Sequence, residues 1–188
     1  MPADIIHHSA LSESPWLNGA GRKADIASGP GWTVGFAWLE RDAPFSDYAG
    51  HDRTITLLEG SGFTLALREG ALLTVDRVGV PSAFDGAGPI ACKLLGGPCV
   101  VLNAMTAYPA LSHTVQVLDR SDLAEVAAGP NVLVVVLRGT ISIGGGSAGP
   151  RDTVRLTDTA GLGFSSDARA AVMQIEPMTN DDSQQDDT

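Results

Sequence analysis

Helical periodicity is nearly absent from this chain, and short apolar runs stopped by glycine and proline take its place. Thr54-Ile55-Thr56-Leu57-Leu58 is β-branched and apolar, and Glu59-Gly60 followed by Ser61-Gly62 ends it, as a strand entering a hairpin reads. Trp32–Glu40 and Phe63–Arg68 alternate, Leu72–Val75 is a further strand, and Ile90–Leu94 leads to a Gly96-Gly97-Pro98 turn. Val100–Met105 and His113–Leu118 close this half. A second set runs through Asn131–Gly139, Thr140–Gly144, Thr153–Leu156 and Ala170–Ile175. Strands at roughly eight- to twelve-residue spacing, punctuated by turn residues, indicate an all-β sandwich or barrel. The 22 Gly and 11 Pro fit that reading, and 188 residues suffice for one domain or two small fused sheets. Only Ser121–Ala128 has room for a turn or two of helix.

Ile55-Thr56-Leu57-Leu58-Glu59-Gly60 and Val134-Val135-Val136-Leu137-Arg138-Gly139 share a pattern. Each is an apolar strand with a charged residue just before the turn glycine, and an alternating strand follows each. Duplication of one β-unit at a spacing of about 80 residues explains this weak repeat.

Charge narrows the function classes. The formal net charge is −10, from 12 basic and 22 acidic residues, which excludes an electrostatic grip on nucleic acid or anionic lipid. Asp181, Asp182, Asp186 and Asp187 fall near the end, and residues 178–188 read as a disordered acidic tail. No stretch reaches the ~20 apolar residues of a membrane span. The opening Met-Pro-Ala-Asp-Ile-Ile-His-His lacks the basic flank and apolar core of a signal peptide, so a cytoplasmic protein is expected. Cys92 and Cys99 read as free, buried thiols.

Chemistry concentrates just before the first repeat strand. Phe45, Ser46, Tyr48, His51, Asp52 and Arg53 offer an aromatic wall, hydroxyls and a fixed cation, and this segment is expected to line any pocket. Trp16-Leu17-Asn18-Gly19-Ala20-Gly21-Arg22-Lys23 is a glycine-bearing loop but no dinucleotide fingerprint, because the third glycine is absent and no helix follows. Asn18-Gly19 is either a tight turn or, with Trp16 and Arg22 beside it, part of a pocket rim.

Three stretches together resemble the HutD/Ves family of bicupins, within the cupin superfamily. They are Trp16-Leu17-Asn18-Gly19-Ala20-Gly21-Arg22; Phe45 to Arg53 with Leu57-Leu58-Glu59-Gly60; and Gly97-Pro98 with Leu102-Asn103-Ala104-Met105. The resemblance runs from about residue 5 to residue 177. It implies two fused cupin-type jelly-roll β-barrels in one domain over 1–177, a first unit at about 1–120 and a second at about 130–177. It also implies a role in the control of histidine utilisation or stress responses, and pairing as a homodimer. The chain departs from the family where Ala20 interrupts a glycine run and Lys23 replaces a Thr. Val100 and Val101 stand where an Arg-Asp pair is usual, which takes a polar wall from the expected pocket.

Cupin enzymes commonly bind a divalent metal through two His, a Glu and a downstream His. Those positions fall here near Asp47 and Ala49, Arg53, and Cys99. A guanidinium repels a cation, and one thiol with one carboxylate does not make a site, so neither metal nor other cofactor is expected. A buried arginine instead binds a carboxylate through paired hydrogen bonds. The expected ligand is therefore a small anionic metabolite held on Arg53, oriented by Asn18, Ser46 and Asn103, and covered by Trp16, Phe45 and Tyr48. Internal pairing of Arg53 with Asp47, Asp52 or Glu59 is the rival account. Two further alternatives are a metal-independent isomerase or lyase using His51 or Tyr48 as acid or base, and an interaction module without ligand.

Overall fold

The run Thr54–Leu58 lies inside the strand His51–Glu59, where period-two alternation sends Arg53, Ile55 and Leu57 to one face and Thr54, Thr56 and Leu58 to the other. Both faces are covered. The computed structural model describes residues 4–16 and 18–178, and it stacks four antiparallel sheets. The strand belongs to a six-stranded sheet ordered Glu13–Pro15, Gly21–Gly29, Trp32–Leu39, Cys99–Ala107, His51–Glu59 and Pro81–Asp85. A four-stranded sheet of Ala43–Phe45, Ile90–Leu94, Phe63–Ala66 and Leu72–Val75 packs on one side of it. Leu39, Ile55, Leu57, Phe63, Leu65 and Val101 fill the space between.

The other side meets a five-stranded sheet ordered Asp4–Ile6, Thr153–Arg155, Val132–Arg138, Arg169–Pro177 and Leu111–Asp119. Val34, Phe36 and Leu102 pack there against Leu133, Val135 and Met173. A three-stranded sheet, Gly146–Ala148, Ile141–Ile143 and Gly163–Phe164, covers the outer face of the five-stranded one. Val134, Val136, Val154, Leu156 and Val172 form that third core, closed at one end by Leu123 of the single-turn helix Arg120–Leu123. Val132–Leu137 and Val100–Leu102 read as unbroken apolar runs because the inner sheets are buried on both faces.

The architecture is all-β as expected, but the sheets stay open. Each ends in two different strands, and the short outer sheets do not hydrogen-bond to the inner ones, so closed barrels give way to stacked layers. The chain halves also interleave. Asp4–Ile6 pairs with Thr153–Arg155, and Leu111–Asp119 pairs along its whole length with Arg169–Pro177. The sequence placed both segments with the first unit, since alternation identifies a strand without naming its partner. Except for Met178, the tail at 178–188 lies outside the described residues.

The two repeat turns share their backbone geometry: Gly60 and Gly139 have φ of 103° and 71°. A Cβ on Gly60 would lie 2.6 Å from the Pro98 carbonyl oxygen, so no larger residue fits. Cys92 and Cys99 are free and buried, and burial above all pushes the Cys92 thiol up to about 12. No helix among the described residues is long and apolar enough to cross a membrane.

One side chain joins the inner sheets through polar contacts. His113, on Leu111–Asp119, places Nδ1 2.7 Å from Thr106 Oγ1 and Nε2 2.9 Å from Thr54 Oγ1. Both threonines are buried, and a neutral imidazole, donor at one nitrogen and acceptor at the other, satisfies both hydroxyls. Burial holds the His113 pKa below its ordinary 6.5, with Asp52 pulling weakly upward. The native state therefore binds fewer protons than the unfolded one, and this stabilisation is complete above the unfolded value. It declines as pH falls below about 6.5 toward the lower folded value. Urea titrations at several pH values should show unfolding free energy falling over that window, and His113→Gln, which can still bridge the threonines, should flatten the fall.

Candidate functional site

A cavity of about 340 Å³ opens beside the first core, and Trp16, Phe45, Ser46, Tyr48, Arg53 and Asn103 all line it. Strand register explains the grouping. Arg53 opposes Met105 on one neighbouring strand and Phe84 on the other, while Asn103 opposes Ile55 and Gly35. Arg53 and Asn103 thus stand on adjacent strands, on the face shared with Ile55, Leu57 and Val101. Trp16 meets Phe45 edge-on with ring centroids 5.7 Å apart, closing one wall.

Arg53 is 6% exposed. Its guanidinium lies 5.2 Å from the Phe45 ring, 5.3 Å from Tyr48 and 5.0 Å from Phe84. Nη2 donates a long hydrogen bond of 3.4 Å to Asn103 Oδ1, and Nε and Nη1 are buried without any partner. No acidic side chain among the described residues forms an ion pair with it. The rival carboxylates are engaged or turned away. Asp47 accepts from the Gly88 amide at 2.9 Å, Glu59 pairs with Arg151, and Asp52 occupies the opposite face of its strand. Loss of water lowers the Arg53 pKa to about 10, with Tyr48 opposing the shift, so the group stays cationic at neutral pH. Three ring faces compensate a buried cation in part, each by about 0.5–2 kcal/mol, but they accept none of its N–H bonds.

Two expected site residues lie outside the cavity. Asn18 is exposed; it donates to the Pro44 carbonyl at 3.1 Å and accepts from the Ala20 amide at 3.0 Å. These bonds pin the loop after Trp16 to the strand bearing Phe45, so Asn18 shapes the wall without facing the interior. His51 holds Nδ1 3.2 Å from the Ala49 carbonyl oxygen and packs on Tyr48. The turn before the strand draws it to the edge. Arg22, the other expected rim cation, is held by Glu13 and Glu40 over the Trp38 ring.

The positions at which cupin enzymes carry metal ligands are likewise dispersed. Cys99 opposes Leu39 at the far end of its strand, whereas the strand positions beside Arg53 are Met105 and Asn103. Among the described residues, no three His, Cys, Asp or Glu side chains converge. Val100 and Val101 are packed in the interior and do not line the cavity, so their apolar character leaves its walls unchanged.

The sequence reading overlooked the wall opposite Arg53. Lys23 and Asp25 project from Gly21–Gly29 into the cavity, with Lys23 Nζ 3.0 Å from Asp25 Oδ2 and 3.2 Å from Oδ1. Polar residues two apart on a strand share a face, and that was the available signal. Gly35 lies between Asp25 and Asn103 in the cross-strand row and raises no side chain from the floor. A Cβ there would sit 2.7 Å from the Ala24 carbonyl oxygen.

A 21.2 kDa Pseudomonas putida protein, described as uncharacterised and encoded in the hutC 3′ region, is 38% identical over 94 residues, spanning 44% of this chain and 47% of that protein. The chain thus matches about half the length of that relative. The structure of HutD from Pseudomonas fluorescens SBW25 superimposes with a TM-score of 0.77 at 21% identity, covering 94% of this chain and all (100%) of that one. A cupin 2 conserved barrel domain protein from Leptotrichia buccalis gives 0.56 at 12% identity, over 95% and 98% of the two chains. These likenesses show a cupin-like all-β fold. The HutD family model matches residues 8–175, and the chain belongs to the HutD family.

Proposed function

We propose that this protein binds a small carboxylate-bearing metabolite in the cavity between its first two sheets, with Arg53 as the anchor. One observation carries the reading: Arg53, 6% exposed, keeps its guanidinium Nε and Nη1 without partners beside an open cavity. A carboxylate accepts two parallel N–H bonds from such a fork and supplies the missing counter-charge. Asn103 and Ser46 orient the ligand, while Trp16, Phe45 and Tyr48 cover its apolar part. The relative from Pseudomonas fluorescens was solved in a formate condition, and formate is the smallest carboxylate.

In this reading the layers are two fused cupin-type units, a bicupin, of which the first holds the ligand. The second has its interior filled by Leu123, Val134, Ile141, Val154 and Leu156. The hut-region relative supports a place in histidine utilisation, in the cytoplasm, as a sensor of a catabolic acid. The guanidinium disfavours a cation in the same cavity, and the site works without metal. The acid–base alternative is left with Tyr48, because His51 stands outside the cavity.

Calorimetry with urocanate and formylglutamate at low salt tests the anchor. Arg53→Ala should weaken any acid that binds by about 10- to 100-fold, the range for hydrogen bonds to charged groups. Equal binding by parent and variant would remove Arg53 from the site.

A second outcome separates ligand recognition from an internal structural role. In ligand-free protein Arg53→Met should leave stability unchanged or raise it by about 1–3 kcal/mol, since it replaces an unpaired buried charge with an apolar chain of similar length. A chemical denaturation midpoint well below the parent's would show that Arg53 holds the fold together.

A further inference from the structure

The cavity has two electrically different ends. Arg53, on His51–Glu59, is a lone cation at one of them. Lys23 and Asp25, on Gly21–Gly29, form a coupled cation and anion at the other. The strands Trp32–Leu39 and Cys99–Ala107 lie between, so three interstrand spacings, about 14 Å, separate the two ends. Gly35 leaves the half of the lane next to Asp25 open, while Asn103 and Met105 stand at the Arg53 end. The charged lining residues are Lys23, Asp25 and Arg53, two cations and one anion, which suits a ligand of net charge −1.

A plain monocarboxylate meets that charge but uses only the Arg53 end. The Lys23–Asp25 pair offers more: a donor cation and an acceptor anion side by side at 3.0 Å. This is the complement of a zwitterionic head, whose ammonium donates to Asp25 while its carboxylate accepts from Lys23. Their side chains are 46% and 51% exposed, and an exposed pair of this kind holds itself together by only about 0–1 kcal/mol. A ligand can therefore open the pair at little cost.

Resting on the Arg53 reading above, we infer that the ligand is an acidic α-amino acid. Its side-chain carboxylate is seated on Arg53 and its α-amino and α-carboxylate groups are interleaved with Asp25 and Lys23. A chain of two methylenes between head and far carboxylate, with a hydrogen bond of about 2.9 Å at either end, bridges most of the width between the two walls. The carboxylate at Arg53 sets affinity for acids in general. The opposite wall sets the preference among them, and Asp25 is its specificity residue.

Calorimetric titration of the whole chain with L-glutamate, glutarate and butyrate distinguishes the cases. L-glutamate should bind at least tenfold more tightly than glutarate, which lacks the ammonium. Asp25→Asn should erase that margin while leaving glutarate binding intact, and Lys23→Gln should weaken L-glutamate and glutarate but not butyrate. Both substitutions fall on exposed side chains, and unchanged melting temperatures verify that each variant is folded. Butyrate binding that depends on Arg53, with L-glutamate no tighter than glutarate, overturns this inference and leaves the carboxylate reading standing. So does an L-glutamate affinity indifferent to Asp25→Asn. Absence of binding by all three acids overturns this inference, and absence of urocanate and formylglutamate binding as well overturns both.

Discussion

A sheet buried on both faces constrains everything else in this molecule. The six-stranded layer has to satisfy two apolar cores at once, so each of its strands carries two independent sets of side chains. Polar groups survive on such a sheet only where partners reach them, because an unmatched buried hydroxyl or amide costs about 1–3 kcal/mol. Thr54 and Thr106 meet this condition on the inner face, where the His113 ring from the next layer serves both. On the outer face the core stops short, and Arg53 stands where it ends.

Thr56 Oγ1, on the same strand, is also buried without a partner, but on this sheet Arg53 is the case in which the unmatched group carries a charge. Its ring neighbours screen the cation from water without accepting its hydrogen bonds, and its one polar contact, to Asn103, is long. A buried cation left short of hydrogen-bond acceptors in this way costs the fold stability. The arrangement also explains why the nearby acids are occupied elsewhere. Had Asp47 or Glu59 reached the guanidinium, its charge would already be matched within the chain.

Much of this was legible in the residues. The punctuation by glycine and proline announced an all-β chain, and the polar segment before Thr54 announced the cavity wall, because strand alternation and turn chemistry are local. Arg53 stood out because a guanidinium falls at the position where cupin enzymes keep a metal-binding Glu. Partnership was not legible. Nothing in Leu111–Asp119 says that it pairs with Arg169–Pro177, and nothing in Asp4–Ile6 says that it crosses to Thr153–Arg155. The same gap set the downstream metal-ligand position of cupin enzymes near Cys99, hid the Lys23–Asp25 wall, and assigned Asn18 to the interior when its amide was needed by the Pro44 carbonyl. Register decides such matters, and register is set by contacts distant in sequence.

The pairing of Asp4–Ile6 with Thr153–Arg155 has a consequence for biosynthesis. The earliest described strand leaves the ribosome long before its neighbour has been made, and at roughly 5–20 residues per second the wait lasts many seconds. Leu111–Asp119 waits likewise for the closing strand. Both inner sheets thus keep apolar faces open until the chain through Pro177 has been made, and the nascent chain depends on whatever shields it during that interval.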